Sequence, residues 1–260
     1  MSESLVRVHV HGAAGTIILN RPDKRNALSR ALLADVAQAL DDLHQERRVR
    51  GVILTGAGPA FCAGMDLDEM LATSQQPDAQ ARWSDDVLAY RDLVEKMLQF
   101  PKPIVAAVNG PAVAGGLGLV AASDLVLAAD DAQFGLPEPR RGITAAIVAP
   151  LVVFRIGAGQ AGYLLMTGAI VDVERAARMG LVHERIAAAR LWPRAVELVE
   201  ECARCAPSSL QLTKRMLNET IGEQLGTMLS TGAAVSATAR TTEAAAEGLQ
   251  AFKEKRPPAW

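Results

Sequence analysis

The chain has 260 residues, half of them hydrophobic, enough for one large core or a core with an appendage. Its 27 Lys and Arg stand against 29 Asp and Glu, so there is no basic surplus to meet a phosphate backbone, and aromatic residues, at 4%, are too few for an RNA-stacking surface. High hydrophobicity at nearly balanced charge excludes a disordered chain.

The first twelve residues carry neither an apolar h-region nor a cleavage site, so no secretory signal is expected. The longest apolar run, residues 143–154, is short for a bilayer span and reads as core, so no membrane partner is expected. Three cysteines form no disulfide framework and fit a reducing, cytoplasmic compartment.

Residues 5–10 alternate with period two, and 16–19 form a second extended run, with Gly12 and Gly15 marking the turn between them. Leu28, Leu32, Leu33, Val36, Leu40 and Leu43 then follow helical spacing, with Ser29 placed to cap. Residues 51–56 read as a short strand bounded by glycines. The order β-β-α-β predicts an α/β protein. Residues 72–86 are polar without a clear period and read as a mobile connection before a helix over 87–99, which Pro101 and Pro103 end. Residues 104–108 and 124–128 read as buried strands. Beyond about residue 145 the pattern reads as almost wholly helical. Asp172 caps a short helix that Gly180 ends, and Ser208 or Ser209 opens a longer one.

Several motifs could carry chemistry. Residues 116–121 fit G-x-G-x-x-A with Asp130 downstream, the skeleton of a dinucleotide fingerprint, but fewer than two helical turns remain before the next strand, too few for a βαβ crossover. Cys202 and Cys205 have C-x-x-C spacing without a second pair, and read as two buried thiols on one helical face. His9 and His11 share a strand face with no third ligand near, so no metal site is expected. Two glycine-bracketed turns, residues 61–67 and 109–116, follow strands and precede helices. Such turns serve tight packing, and they also leave backbone N–H groups free to hold a developing negative oxygen. Glu138 lies among apolar, Gly and Pro residues. It reads either as a solvated loop glutamate or as a desolvated base able to move a proton near neutral pH.

Taken together, these pieces resemble the enoyl-CoA hydratase/isomerase (crotonase) superfamily over nearly the whole chain. The matching runs are residues 19–28, 60–67, 102–110, 132–138, 164–168 and 251–258. The resemblance implies a spiral of ββα units over residues 1–200 that carries an acyl-CoA site. A helical region over 201–260 would assemble homotrimers or dimers of trimers. The substrate would be an acyl-CoA thioester, with coenzyme A part of the substrate and no separate cofactor. The thioester oxygen would be held by the backbone N–H groups of Met65 and Gly115, with Glu138 as the acid/base. Contacts to coenzyme A would come from Arg25, Ala27, Ala63, Gly64, Asp66, Leu67 and Gly116. Phe252 and Lys255 would also reach it, often in a neighbouring subunit.

One departure matters. Hydratases of this family use two glutamates, and Gly118 stands at the position of the first. The local runs around Gly115, Glu138 and Gly142 look like those of the branched glutaconyl-CoA hydratases, whose substrates carry a second carboxylate, with Arg140 or Arg141 placed to meet it. The expectation is a 2-enoyl-CoA hydratase. Its rivals are an isomerase working through one glutamate and a non-catalytic acyl-CoA binder.

Overall fold

The protein is described by a computed structural model over residues 4–222 and 224–260. Strands β1 (Val6–His11) and β2 (Ala14–Leu19) form an antiparallel hairpin that turns at Gly12, where φ is 56°. Gly15 lies inside β2 rather than in the turn. A Cβ there would sit 2.7 Å from Leu43, so close packing is what demands glycine. Helix α1 (Arg30–Gln45) starts where Ser29 Oγ accepts from Leu32 N–H, and it buries Leu32, Leu33, Val36, Leu40 and Leu43. Strand β3 (Gly51–Gly56) follows, parallel to β2.

The supposed connection over 72–86 is mostly helix. Helix α2 (Leu67–Ser74) and the long α3 (Ala79–Gln99) leave only a short link between them. The period is real and is carried by Trp83, Asp86, Val87, Tyr90, Leu93, Val94 and Met97, all buried. Asp86 masks it in the sequence, because it holds a core position as a carboxylate paired with Arg30.

Strand β4 (Ile104–Val108), the short β5 (Ala112–Val113), α4 (Gly115–Ala122) and β6 (Leu125–Ala129) come next. β4 and β6 are parallel, so the eight-residue α4 does make the crossover that seemed too short. After β7 (Gln133–Gly135), residues Glu138–Arg141 form a 3-10 turn, and α5 (Val148–Thr167) follows. The C-terminal third is not wholly helical. β8 (Ile170–Asp172) pairs with β7, α6 (Val173–Arg178) is capped by Asp172, and β9 (Glu184–Ile186) extends the main sheet beside β6. Three-residue strands are too short to show a period. Then come α7 (Ala188–Ala203), α8 (Pro207–Arg215), a π-helical stretch Met216–Ile221, α9 (Leu225–Ala239) and α10 (Glu243–Glu254). Helix α8 opens at Pro207, not at Ser208 or Ser209. Proline suits a first helical position, where its missing N–H has no partner to lose. The C-x-x-C does not present two buried thiols: α7 ends at Ala203, Cys202 is half-buried and Cys205 is exposed.

The main sheet has the order β1-β2-β3-β4-β6-β9, and the small one β5-β7-β8. Both faces of the main sheet are covered, as parallel sheets require. Val52 and Leu54 point to the large core that holds α1 and α3, while Ile53, Val105 and Leu127 point to α7 through Leu191, Ala195 and Val199. Helix α9 returns to the same core through Leu225, Leu229, Ala233 and Ala237. Helix α5 extends the apolar run of 143–154 across Arg155 and, by length and composition, is long enough to cross a bilayer. Its Leu151, Val152, Ile156 and Leu164 are buried in the core, and Arg155 donates to the carbonyls of Ala121 and Ser123, as a core helix does.

Candidate active site

The two glycine turns lie back to back at the ends of β3 and β4. Cys62 bridges to Ala112, and Leu28 to Met65. Leu28 N–H donates to the Gly64 carbonyl at 2.7 Å, and its own carbonyl accepts from Asp66 N–H at 3.0 Å. This clamp fixes Met65 between its neighbours. Gly64 has φ 88°, and a Cβ there would stand 2.6 Å from the Ala114 Cβ. At Gly116 one would stand 2.3 Å from the Cys62 carbonyl oxygen. Both glycines are therefore packing positions, and neither lines the cavity. Ala114, with φ 54° and ψ −128°, turns the chain from β5 into α4. That conformation is strained for an L-residue, at a cost on the order of 1–3 kcal/mol. It leaves Gly115 as the first residue of α4. Among the described residues, neither Met65 N–H nor Gly115 N–H has a protein acceptor.

Glu138 opens the 3-10 turn after β7. It is 7% exposed, and its Oε2 has no hydrogen-bond partner. Burial pushes its carboxyl up to about 7, and its own backbone N–H and then the Arg141 guanidinium only partly oppose the rise. The solvated-loop reading therefore fails for this residue. Met65, Gly115 and Glu138 line one cavity of about 440 Å³.

Arg25, Ala27, Ala63, Asp66 and Leu67 line the same cavity, as does Phe252 from the same chain. Lys255 does not; it is exposed at the end of α10. Asp66 mainly builds the rim. Its Oδ1 caps α2 by accepting from Asp68 and Glu69 N–H, and its carboxylate pairs with Arg21 at 2.9 Å. Of the two arginines after Glu138, Arg141 lines the cavity and stacks on Phe252 at 5.2 Å, whereas Arg140 turns away to the Thr167 carbonyl.

Sequence reasoning missed two residues. Asn26 is fully buried in the left-handed region, φ 55°. It accepts from Arg21 N–H and donates to the carbonyls of Ala57 and Ala60, tying the rim to the turn after β3. Its place within the matching run 19–28 was the only signal. The second is Tyr90 on α3, read as ordinary helix. Its hydroxyl donates to the Gly115 carbonyl at 2.6 Å, and burial holds its pKa well above the ordinary phenol value. A Cβ at Gly118 would lie 2.0 Å from that hydroxyl oxygen. Tyr90 therefore fills the volume into which a side chain at 118 would point.

Residues 10–260 match the model of the enoyl-CoA hydratase/isomerase family. The chain belongs to that family. It is 40% identical over 247 residues to a Thermus thermophilus protein provisionally named an enoyl-CoA hydratase, covering 95% of this chain and 97% of the other. It is 32% identical to an enoyl-CoA hydratase of Mycobacterium tuberculosis over 93% of this chain and 91% of that one. Among solved structures it superposes on a carnitinyl-CoA hydratase from Mycobacterium avium with TM-score 0.84 at 31% identity, covering 100% and 99% of the two chains. The α/β architecture above is thus that of the family, and the protein is an enzyme of the crotonase type acting on an acyl-CoA thioester. Within the glycine run 116–121, Gly116 and Gly118 are packing positions of the crossover, a Cβ meeting Cys62 at the first and Tyr90 at the second.

Proposed function

We propose that this enzyme hydrates a 2-enoyl-CoA thioester, with Glu138 as its single acid/base. The observation that carries the reading is the convergence on one cavity of two backbone N–H groups free of protein acceptors among the described residues and one desolvated carboxyl whose Oε2 has no partner there. The oxygen of water adds to C3, the C2=C3 electron pair moves toward C2 and the thioester oxygen, and that oxygen is held by Met65 and Gly115 N–H. Donors aimed at such charge typically contribute about 3 kcal/mol each. Glu138 takes the water proton as the C–O bond forms and returns a proton to C2. A carboxyl titrating near 7 is suited to both halves of that transfer.

Within this reading the acyl group is of the branched or glutaconyl type, carrying a second carboxylate. Support comes from the sequence around Glu138 and from cationic side chains on the cavity wall. Coenzyme A would enter over Arg25, Ala27, Ala63, Asp66 and Leu67. Assembly as a trimer or a dimer of trimers, and a cytoplasmic location, belong to the same reading.

Gly118 keeps a second reading open, since moving a double bond needs only one carboxylate. The deciding experiment is mass spectrometry on a panel of 2-enoyl- and 3-enoyl-CoA esters, 3-methylglutaconyl-CoA included, in ¹⁸O-labelled, deuterated water. Labelled hydroxyacyl-CoA that disappears in Glu138→Gln supports hydration. Double-bond migration or deuterium exchange without added oxygen makes the enzyme an isomerase.

A further inference from the structure

At the C-terminal end of α9, Arg240 is buried to 7% exposure and lines the same cavity as Glu138. Among the described residues its guanidinium has no hydrogen bond and no ion pair. Desolvation lowers its pKa to about 10, so it stays charged at neutral pH. The carboxylate whose charge reaches it, Asp86, is held by Arg30, which also takes Thr73. One turn back along α9, Ser236 is also buried and lines the cavity, and its hydroxyl has no partner among the described residues. A desolvated guanidinium without a protein acceptor is costly, and a planar donor fork that opens on the cavity is suited to a carboxylate. The end of α9 offsets part of that cost, because its dipole favours a cation there.

We propose that Arg240, with Ser236, is the seat for a carboxylate at the far end of the acyl chain, and so selects acyl-CoA thioesters whose acyl chain ends in a carboxylate. This rests on the acyl-CoA reading above but not on hydration. The test therefore uses saturated thioesters, which cannot be hydrated. Glutaryl-CoA and valeryl-CoA differ only in the terminal carboxylate, and binding of each is measured by calorimetry. The wild type should prefer glutaryl-CoA. Arg240→Met should weaken glutaryl-CoA on the order of 30-fold while leaving valeryl-CoA within about threefold. Ser236→Ala should weaken glutaryl-CoA alone, by about fivefold. Unchanged valeryl-CoA binding shows that a variant is folded; should Arg240→Met fail it, Ser236→Ala and Arg240→Lys decide. No wild-type preference, or a preference that survives both Arg240→Met and Ser236→Ala, overturns the proposal. So does a preference lost in Arg141→Met but kept in Arg240→Met. If neither ester binds, the acyl-CoA reading itself fails, which is a different result from binding without discrimination.

Discussion

The space beneath Gly118 gives a sharp prediction. A methyl group added there meets the Tyr90 hydroxyl oxygen at 2.0 Å, Val148 Cγ2 at 3.0 Å and Tyr90 Cζ at 3.2 Å. The oxygen must move by more than 1 Å to reach ordinary contact, and it then leaves the Gly115 carbonyl it now bonds at 2.6 Å. Overpacking of this kind costs about 1–3 kcal/mol, and the lost hydrogen bond adds ~1 kcal/mol. Replacing glycine inside a helix returns up to about 1 kcal/mol. Gly118→Ala should therefore destabilise the enzyme by about 1–3 kcal/mol. In a Tyr90→Phe background the offending oxygen is gone and the nearest atoms are the two at 3.0 and 3.2 Å, which need yield only tenths of an ångström. There the same substitution should be nearly neutral. The coupling energy of the pair, about 1–3 kcal/mol, is read from urea unfolding of the four variants at one protein concentration. Additivity within ~0.5 kcal/mol would refute the claim that Tyr90 fills the volume of a side chain at 118.

Other consequences follow from the same site. Glu138→Gln should lower the hydration rate by roughly 10²–10⁴-fold with little change in thioester binding, checked by steady-state kinetics and calorimetry. Because folding raises this carboxyl from 4.5 to about 7, the folded state keeps a proton that the unfolded chain releases. The stability tied to that proton is present below about pH 4.5 and lost as pH rises through about 7, a difference of about 3 kcal/mol. Unfolding at pH 8 should therefore show Glu138→Gln more stable than wild type, with the gap closing toward pH 4.5. In the wild type, kcat/KM for hydration should rise with pH through about 7, as the carboxylate that accepts the water proton forms. Arg140→Ala should leave activity on every ester intact, since its side chain faces the Thr167 carbonyl, while Arg141→Ala should alter the pH midpoint by removing the cation beside Glu138. Asn26→Ala should cost about 3 kcal/mol in urea unfolding, about 1 kcal/mol for each of the three hydrogen bonds this buried side chain makes.

The elements that were readable are those whose pattern is local. The stripe of α1 from Leu32 to Leu43 and the glycine turns at 61–67 and 109–116 announced themselves, because period and turn chemistry act over a few residues. What was unreadable depends on partners distant in sequence. Asp86 looks like a solvent residue until Arg30 is seen against it, and so the first turns of α3 passed for a connection. Strands β8 and β9 take their meaning from β7 and β6. Glu138 was found as a residue but not as an environment: only the folded chain withdraws it from water. Tyr90 was invisible for the same reason, since its relation to Gly118 links α3 with α4 across 28 positions.

The electrostatics of the cavity connect these residues. Two carboxylates side by side raise one another's pKa. Here the place of a second one holds a phenol that is neutral and tied to Gly115, so desolvation is the main cause of the rise at Glu138. An acyl chain ending in a carboxylate would bring a like charge into the same low-dielectric space and push Glu138 further toward its protonated form, away from the base that hydration needs. A guanidinium that meets that carboxylate cancels the charge where it enters. On this reasoning Arg240 and Ser236 do more than select an acyl chain. They let a cavity with one glutamate admit an acyl chain that ends in a carboxylate and still keep that glutamate titrating near the pH at which it works.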